Sequence, residues 1–234
     1  ESDPNIIYVG AGEKTVRGNV SPGYAGFWKS YDAGESWKKM NLDINQVQVG
    51  RIAVHPKNPD IVYVAIIGDL FKNSKDRGIY KSIDGGESWK QVLFSNERSG
   101  AVDISIDKSN PRIIYASTWN IRRTPYSLES GGEGSGLWRS TDGGDTWNNI
   151  SDNDGLPGGL WGISGVSVSP VNPKKIFALI ENKDGGLFRS DDGGESWKKV
   201  NDDRNLRQRA WYYTRVYADT KNENRVYVMN VAFW

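Results

Sequence analysis

The 234-residue sequence predicts an all-β fold, a β-propeller of four-stranded antiparallel blades, from three observations. An octapeptide with the pattern S-x-D-x-G-x-[ST]-W occurs four times, at residues 30–37, 82–89, 140–147 and 190–197. Its aspartates are spaced by 52, 58 and 50 residues, a regular period of the kind that repeat architectures produce. A second motif, a turn leading into a strand, recurs with a similar spacing, once in each repeat. The 27 glycines suit many short strands joined by tight turns.

The second motif is an Asn or Asp turn followed by β-branched and aromatic residues, which favour strands. Its copies begin at Asp3, Asn58, Asn110, Asn172 and, more weakly, Asn222. In the second unit, the strands A to D are predicted at residues 50–55, 61–67, 78–82 and 89–92. Four short strands in each unit indicate a propeller blade rather than a sandwich, because a sandwich has no reason to repeat its turn chemistry.

The repeats divide the chain into blades. It starts in strand B of one unit and stops after strands A and B of a fifth, so we expect an incomplete part of a larger propeller, completed by further blades or by a partner chain. We predict one propeller region over residues 1–234, with a partial blade at 1–49, blades at 50–100, 101–162 and 163–212, and a partial blade at 213–234.

The octapeptide predicts a turn between strands C and D with a structural role. Its glycines permit positive φ angles, and its aspartate can accept hydrogen bonds from backbone N–H groups of the turn. A catalytic residue is not needed once per repeat, so these carboxylates are not predicted to be catalytic. The structural positions are Ser30, Asp32, Gly34, Trp37, Ser82, Asp84, Gly86, Trp89, Ser140, Asp142, Gly144, Trp147, Ser190, Asp192, Gly194 and Trp197.

The amino-acid composition argues against several classes of function. Lys plus Arg number 30 and Asp plus Glu 29, and this balance predicts neither a nucleic-acid partner nor binding to a membrane surface. No apolar stretch is long enough to span a membrane. The chain has no cysteine and one histidine, His55, which we expect to cap a turn. We therefore predict neither a metal site nor a cofactor.

The octapeptides are identified as Asp boxes, also called bacterial neuraminidase repeats (BNR). With the paired turn-and-strand motifs and the segment 122–132, they make the chain resemble the sortilin-like propeller proteins of bacteria, often labelled BNR-repeat glycosyl hydrolases. The resemblance covers essentially the whole chain. It implies a bacterial protein exported to the periplasm, the cell surface or the medium. The Arg-Ile-Pro motif of the related sialidases is absent from the sequence.

Blade topology predicts where a ligand binds. In an up-and-down blade the A–B and C–D turns share one rim, here called the Asp-box rim, and the B–C and D–A loops share the other, here called the loop rim. Long irregular loops usually carry function, and those of the loop rim are rich in Arg and aromatic residues. The candidate ligand-binding residues are Trp119, Arg122, Arg123, Tyr126, Trp161, Arg204, Arg207, Arg209 and Trp211.

Several readings of this rim stay open. The arginines can instead pair with Asp152, Asp154, Asp202 and Asp203 and simply order the loops. The preferred function is an exported binding module for a protein, peptide or glycan. The alternative is a glycoside hydrolase whose catalytic carboxylates lie partly outside this chain, with Glu129, Glu133, Asp69, Asp76 and Asp103 as available acids. A third possibility is docking of open blades onto a partner in an assembly.

Overall fold

A computed structural model of the chain describes residues 3–12, 26–45 and 48–234. Within these ranges, eighteen strands form five antiparallel sheets. The first sheet contains β1 (Ile7–Gly10), β2 (Phe27–Ser30) and β3 (Lys38–Met40). The second contains β4 (Val49–Val54), β5 (Val62–Ile66), β6 (Gly78–Ser82) and β7 (Lys90–Leu93). The rest of the predicted first partial blade, residues 1–2, 13–25 and 46–47, lies outside the described residues.

The remaining sheets follow the same order. The third contains β8 (Ser99–Ile106), β9 (Ile114–Arg123), β11 (Gly136–Ser140) and β12 (Asn148–Asn149), with β10 (Leu128–Ser130) added beside β9. The fourth contains β13 (Ser164–Val168), β14 (Ile176–Ile180), β15 (Gly186–Ser190) and β16 (Lys198–Asn201). A 3-10 turn (Arg204–Arg207) and a short helix, α1 (Ala210–Tyr213), precede the fifth sheet, β17 (Arg215–Ala218) and β18 (Val226–Met229).

Apart from β10, each sheet pairs its strands in chain order, and β4, β8, β13 and β17 lie side by side as the inner strands. This arrangement confirms the predicted propeller. Strand positions in the second unit differ from the prediction by at most one residue at either end, and β6 lies where predicted. The blade boundaries stay a prediction; β4, β8, β13 and β17 begin within two residues of them.

The apolar core lies between neighbouring sheets. Strand B of a full blade is buried on both faces, so β5 and β14 are nearly continuous runs of apolar residues. One buried cluster joins Tyr63 and Ile79 of the second sheet to Ile104 and Ile114 of the third, and similar clusters join the other neighbours. The outer strands β3, β7 and β16 are largely exposed and begin with lysine, a residue that discourages edge-to-edge pairing.

A recurring contact joins each of the first three blades to the next. A tyrosine of strand B donates its hydroxyl hydrogen to the carbonyl of a glycine in the next Asp box. Tyr8 reaches Gly85 at 3.0 Å, and Tyr63 and Tyr115 reach Gly143 and Gly193 at 2.7 Å. Burial raises the pKa of Tyr63 and Tyr115 to about 12, so both hydroxyls stay protonated donors. The second, third and fourth Asp boxes thus each contribute a contact between neighbouring blades.

A buried ionic cluster ties the inner strands together. Asp103 of β8 is 2% exposed and accepts a hydrogen bond from the Val166 N–H of β13 at 3.2 Å. Its carboxylate lies 3.4 Å from the Arg215 guanidinium of β17 and 3.7 Å from that of Arg51 in β4. Arg215 also donates to the carbonyl of Gly50 at 2.8 Å. The cluster therefore joins four of the five sheets.

Candidate functional site

The Asp-box carboxylates accept hydrogen bonds from residues of their own turns. In each box the first serine donates its hydroxyl to the aspartate at 2.7–2.8 Å and accepts the N–H of the glycine at the fifth position at 2.7–2.8 Å. The other aspartate oxygen accepts the hydroxyl of the Ser or Thr four residues later, at 2.5–2.6 Å. These hydrogen bonds lower the pKa of Asp32, Asp84 and Asp192 to about 2 and also lower that of Asp142.

The A–B turns of this rim are capped in the same repetitive way. The His55 Nδ1 accepts the backbone N–H groups of Lys57 at 3.2 Å and Asn58 at 3.0 Å, as the sequence predicts. The residues at the same place in the later blades, Asp107, Ser169 and Asp219, make the same pair of hydrogen bonds. The Asp-box rim is therefore built from local hydrogen bonds that repeat from blade to blade.

The loop rim is irregular, and its most prominent element is the hairpin of β9 and β10. Strand β9 has ten residues and extends past its blade, where Arg122 pairs with Glu129 across the hairpin. The N–H of Ile121 donates to the Arg98 carbonyl at 3.1 Å, and the N–H of Arg123 donates to the Leu70 carbonyl at 2.8 Å. Two loops from the neighbouring blade therefore hold the base of the hairpin in place.

An open cleft of about 550 Å³ lies beside this hairpin. Its lining consists of amides, carboxylates, glycines and one arginine: Asn73, Asn96, Glu97, Arg98, Asn120, Glu129, Gly131, Gly132 and Glu133. Glu129 forms an ion pair with Arg98 at 2.6 Å. Among the described residues, no hydrogen bond or ion pair engages the carboxylates of Glu97 and Glu133. The cleft therefore presents two uncommitted acids beside amides, glycines and one ion pair.

The wall of the cleft is held by its backbone. The carbonyl of Glu133 accepts hydrogen bonds from the side chains of Asn96 and Asn120, each at 2.8 Å, and of Ser99 at 3.1 Å. Because the main chain is fixed from three sides, the Glu133 side chain projects from a rigid position. On the far side, Ser130 donates to the Glu181 carboxylate at 2.8 Å and ties the hairpin to the fourth blade.

A second depression shares Asn73 with the cleft and extends the polar surface along the rim. It is lined by Asn45, Asp69, Lys72, Asn73, Ser74, Lys75 and Asp76. Arg77 follows the lining residue Asp76 in sequence, is 1% exposed, and donates to the carbonyls of Ile67 and Asp69. Gly68 adopts a φ of +78°, and a Cβ there would lie 2.5 Å from the Arg77 side chain. The glycine therefore makes room for the arginine that shapes this loop.

The nine predicted ligand residues lie at very different depths. Trp119 and Trp161 are core residues, 1% and 3% exposed, and their ring N–H groups donate to Ser130 and to the Pro157 carbonyl. Their apolar rings fill clusters beneath the loop rim, so they support it from below. Trp211 is partly buried against the cluster that contains Trp119. Tyr126 is 90% exposed at the tip of the hairpin.

The predicted arginines mostly serve the loops themselves. Arg123 donates to the Ser127 carbonyl at 2.9 Å, and Arg207 donates to the carbonyl of Asn182 at 2.9 Å. The sequence offered aspartates as their partners, whereas the described contacts are to backbone carbonyls. Arg122 is partly buried in the hairpin, and Arg204 and Arg209 are exposed near α1. The structure brings Arg122, Arg123 and Tyr126 together on one hairpin and keeps Arg204, Arg207 and Arg209 on a separate segment.

The five candidate acids also separate. Glu129 and Glu133 line the cleft, and Asp69 and Asp76 line the second depression. Asp103 lies at the propeller axis, buried and paired with two arginines, which leaves it no access to a substrate. The proposed role of Asp103 as an available acid is therefore wrong.

Several residues of the cleft were missed from sequence. Asn73, Asn96, Glu97 and Asn120 come from three loops or strands and belong to no repeated motif. The one available signal was the concentration of Asn and Glu in the segments between the repeats. No group of three or more acidic or histidine side chains within the described ranges is arranged to hold a metal ion. In the same ranges, no helix is long and apolar enough to cross a membrane.

Comparison with known proteins identifies the family. A family model described as Sortilin, neurotensin receptor 3 (Sortilin-Vps10) matches residues 25–155, more than half of the chain. The chain belongs to the Sortilin-Vps10 family. The BNR/Asp-box repeat model matches residues 188–199, which contain the fourth box. Both matches confirm the resemblance that the repeated motifs indicated.

Relatives of this Sortilin-Vps10 chain include xyloglucanases. One from Acetivibrio thermocellus is 30% identical over 189 residues, which is 71% of this chain and 20% of the relative. Another, from a Paenibacillus species, is 28% identical over 163 residues, which is 63% of this chain and 14% of the relative. The chain thus spans about a fifth or less of the length of the curated relatives it matches.

Solved structures show the same fold. The glycoside hydrolase family 74 (GH74) xyloglucanase from Xanthomonas campestris gives a TM-score of 0.66 at 18% identity, and a GH74 enzyme from Niastella koreensis gives 0.67 at 19%. Each match covers 98% of this chain and 34% of the other. The comparisons support the glycoside hydrolase alternative better than the binding module that the sequence alone favoured.

Proposed function

We propose that this chain is part of a propeller glycoside hydrolase and binds a xyloglucan-like polysaccharide in the cleft of the loop rim. The observation that carries the proposal is the 30% identity to a xyloglucanase over 71% of the chain. The covered share of that relative is small, so the remainder of the active site would come from outside the chain.

The chemistry of the cleft suits a neutral, hydroxyl-rich substrate. Amide side chains both donate and accept hydrogen bonds, and carboxylates accept them from hydroxyl groups. Asn73, Asn96 and Asn120 stand beside Glu97 and Glu133, whose carboxylates have no partner among the described residues. Asn96 and Asn120 already donate to the Glu133 carbonyl, so a substrate with many hydroxyl groups would hydrogen-bond chiefly to Asn73, Glu97 and Glu133, without bringing a charge into the cleft.

Glycoside hydrolysis requires a pair of carboxyl groups, about 5–5.5 Å apart in retaining enzymes and about 6.5–9.5 Å apart in inverting ones. We assign Glu133 the role of contacting the sugar nearest the scissile bond, because its backbone is held rigidly and its carboxylate is uncommitted. Its catalytic partner is proposed to lie outside this chain, and Glu97 is proposed to bind sugar hydroxyls.

The test is xyloglucan binding by this chain, measured by calorimetry; release of reducing ends is expected only from a longer protein that also supplies the catalytic partner. Glu133→Gln and Glu97→Gln are expected to weaken binding at least about tenfold, the loss expected for one or two charge-assisted hydrogen bonds. Glu35→Gln on the Asp-box rim is the matched control and should leave binding unchanged. Failure of the wild-type protein to bind xyloglucan would contradict the proposal.

A binding module is the second candidate. It is supported by the matched family model, whose description names a receptor, and by the exposed Arg and aromatic residues Arg204, Arg209 and Tyr126. In this case a protein, peptide or glycan would be held without being cleaved. Tight binding of a ligand with no bond cleavage, undisturbed by Glu133→Gln, would favour it over the hydrolase.

Export to the periplasm, the cell surface or the medium is part of the proposal. A polysaccharide cannot cross a membrane, so an enzyme or binding protein for it must meet it outside the cytoplasm. Fractionation of the producing cells tests this directly. Recovery of the protein only from the cytoplasm would contradict a polysaccharide substrate.

A further inference from the structure

We propose that the tip of the β9–β10 hairpin is an outer sugar-binding subsite in which Tyr126 stacks on a ring of the polysaccharide beyond the cleft. This inference rests on the proposed function and adds to it one contact residue and a dependence on ligand length. It starts from Tyr126, the most exposed of the large hydrophobic side chains that the structure describes.

Hydrogen bonds hold the turn at the hairpin tip. The hydroxyl oxygens of Thr124 and Ser127 lie 2.6 Å apart, and the Thr124 hydroxyl accepts the Ser127 N–H at 2.9 Å. The Thr124 N–H donates to the Ser127 carbonyl at 3.0 Å, and Arg123 donates to the same carbonyl at 2.9 Å. An aromatic side chain on a fixed turn loses little backbone entropy on binding, so its position favours recognition of a partner.

The base of the hairpin forms part of the cleft. Glu129 of β10 lines the cleft, as do Gly131 and Gly132, which come just after that strand. Tyr126 precedes Glu129 by three positions, and a strand rises about 3.3 Å per residue, so the tip lies roughly 10 Å or less from the cleft edge. A sugar chain that fills the cleft and continues along the hairpin therefore passes the Tyr126 ring.

The surroundings of Tyr126 fit a sugar better than a protein partner. Its neighbours on the turn are Thr124, Pro125 and Ser127, so one ring stands among small and polar groups. A stable protein interface buries about 1,200–2,000 Å² with an apolar centre, and the turn offers no such patch. The apolar face of a single sugar ring matches one tyrosine ring, while its hydroxyl groups remain in water.

The test is the dissociation constant of xyloglucan oligosaccharides of increasing length, measured by calorimetry for the wild-type protein and for Tyr126→Ala. The variant is expected to weaken binding of long oligosaccharides about threefold to tenfold, as loss of one stacking contact predicts. It should leave the shortest bound oligosaccharide unaffected. Tyr126→Phe should bind like the wild type, and Ile83→Ala, which removes an exposed apolar side chain on the opposite rim, should have no effect.

The outcomes separate the two proposals. Equal weakening at every length, or no weakening in Tyr126→Ala while the wild type binds, overturns the outer subsite and leaves the cleft in place. Absence of binding by the wild-type protein at every length overturns the proposed function and the subsite with it.

Discussion

Acidic side chains on the Asp-box rim and in the loop-rim cleft differ in what their oxygens contact. Asp84 accepts hydrogen bonds from Ser82, from Ser88 and from the backbone of its own turn, so its charge is used locally. Glu133 is held by its backbone carbonyl instead, and no described group engages its carboxylate. Repeated, fully satisfied hydrogen bonds therefore indicate scaffold, whereas a backbone held in place with an uncommitted side chain indicates a site for a partner.

The largest loss of stability is expected in the buried ionic cluster of the inner strands, between the two rims. Asp103→Ala should lower the free energy of unfolding by about 3–5 kcal/mol, because it leaves Arg51 and Arg215 without the buried carboxylate between them. Denaturant unfolding followed by tryptophan fluorescence measures this. Glu133→Gln, the control in the cleft, should change stability by about 0.5 kcal/mol or less. A loss below about 1 kcal/mol in Asp103→Ala would show that the ionic cluster does not join the blades.

The next effect distinguishes the two rims directly. Ser140→Ala removes a fully buried hydroxyl that accepts the Gly144 N–H at 2.8 Å and donates to Asp142 at 2.8 Å. A buried donor left without a partner costs about 1–3 kcal/mol, so unfolding should become easier by that amount, with sugar binding unchanged. Asn73→Ala in the cleft should weaken sugar binding and leave the free energy of unfolding unchanged. If both variants lose stability and still bind sugar normally, the two rims do not have the different roles assigned to them here.

The Asp-box aspartates should make the stability of the protein depend on pH in the acid range. The pKa values of Asp32, Asp84 and Asp192 lie near 2, below the ordinary value of about 3.9, so the folded state favours the ionised form. Their contribution to stability is complete above pH 4 and is lost as the pH falls toward 2. Thermal unfolding from pH 7 to 2 should show this decline, and Asp84→Asn should reduce it. A decline that is finished by pH 5 would point to other groups.

The smallest effect concerns the single histidine. Burial, with Lys57 and Lys81 nearby, lowers the pKa of His55, which favours the neutral ring that caps the turn. The contribution is complete above the ordinary pKa of about 6.5 and is lost as the pH falls through the lowered value. His55→Ala should cost about 1 kcal/mol at pH 7.5 and little at pH 4.5. His55→Asp should restore the cap, since Asp107 fills the equivalent place; failure to do so would refute the capping role.

The repeated part of the fold could be predicted from sequence because its chemistry is local. The Asp box and the Asn turn make their hydrogen bonds within four residues, so every copy shows the same pattern. The cleft could not be predicted in this way. Asn96 meets Glu133 across 37 residues of sequence, and Ser130 meets Glu181 across 51. Contacts between residues so far apart in the chain leave no repeated pattern in the sequence from which they could be predicted.

The two buried tryptophans show a second limit. Trp119 and Trp161 stand in loop-rim segments whose composition suggested a ligand surface, yet both rings pack into apolar clusters. An amphipathic ring is equally suited to a binding face and to a core. Tyr126 could be distinguished from them only after the hairpin turn was known, because its exposure depends on β10, a strand that the sequence motifs did not predict.

Hydrogen–deuterium exchange with and without a long xyloglucan oligosaccharide tests most directly the claim that the loop rim binds and the Asp-box rim supports. We predict slower exchange on binding in peptides that cover residues 67–77, 94–98 and 120–133, with the four Asp boxes unchanged. Protection confined to the Asp boxes, or spread equally over both rims, would contradict the account.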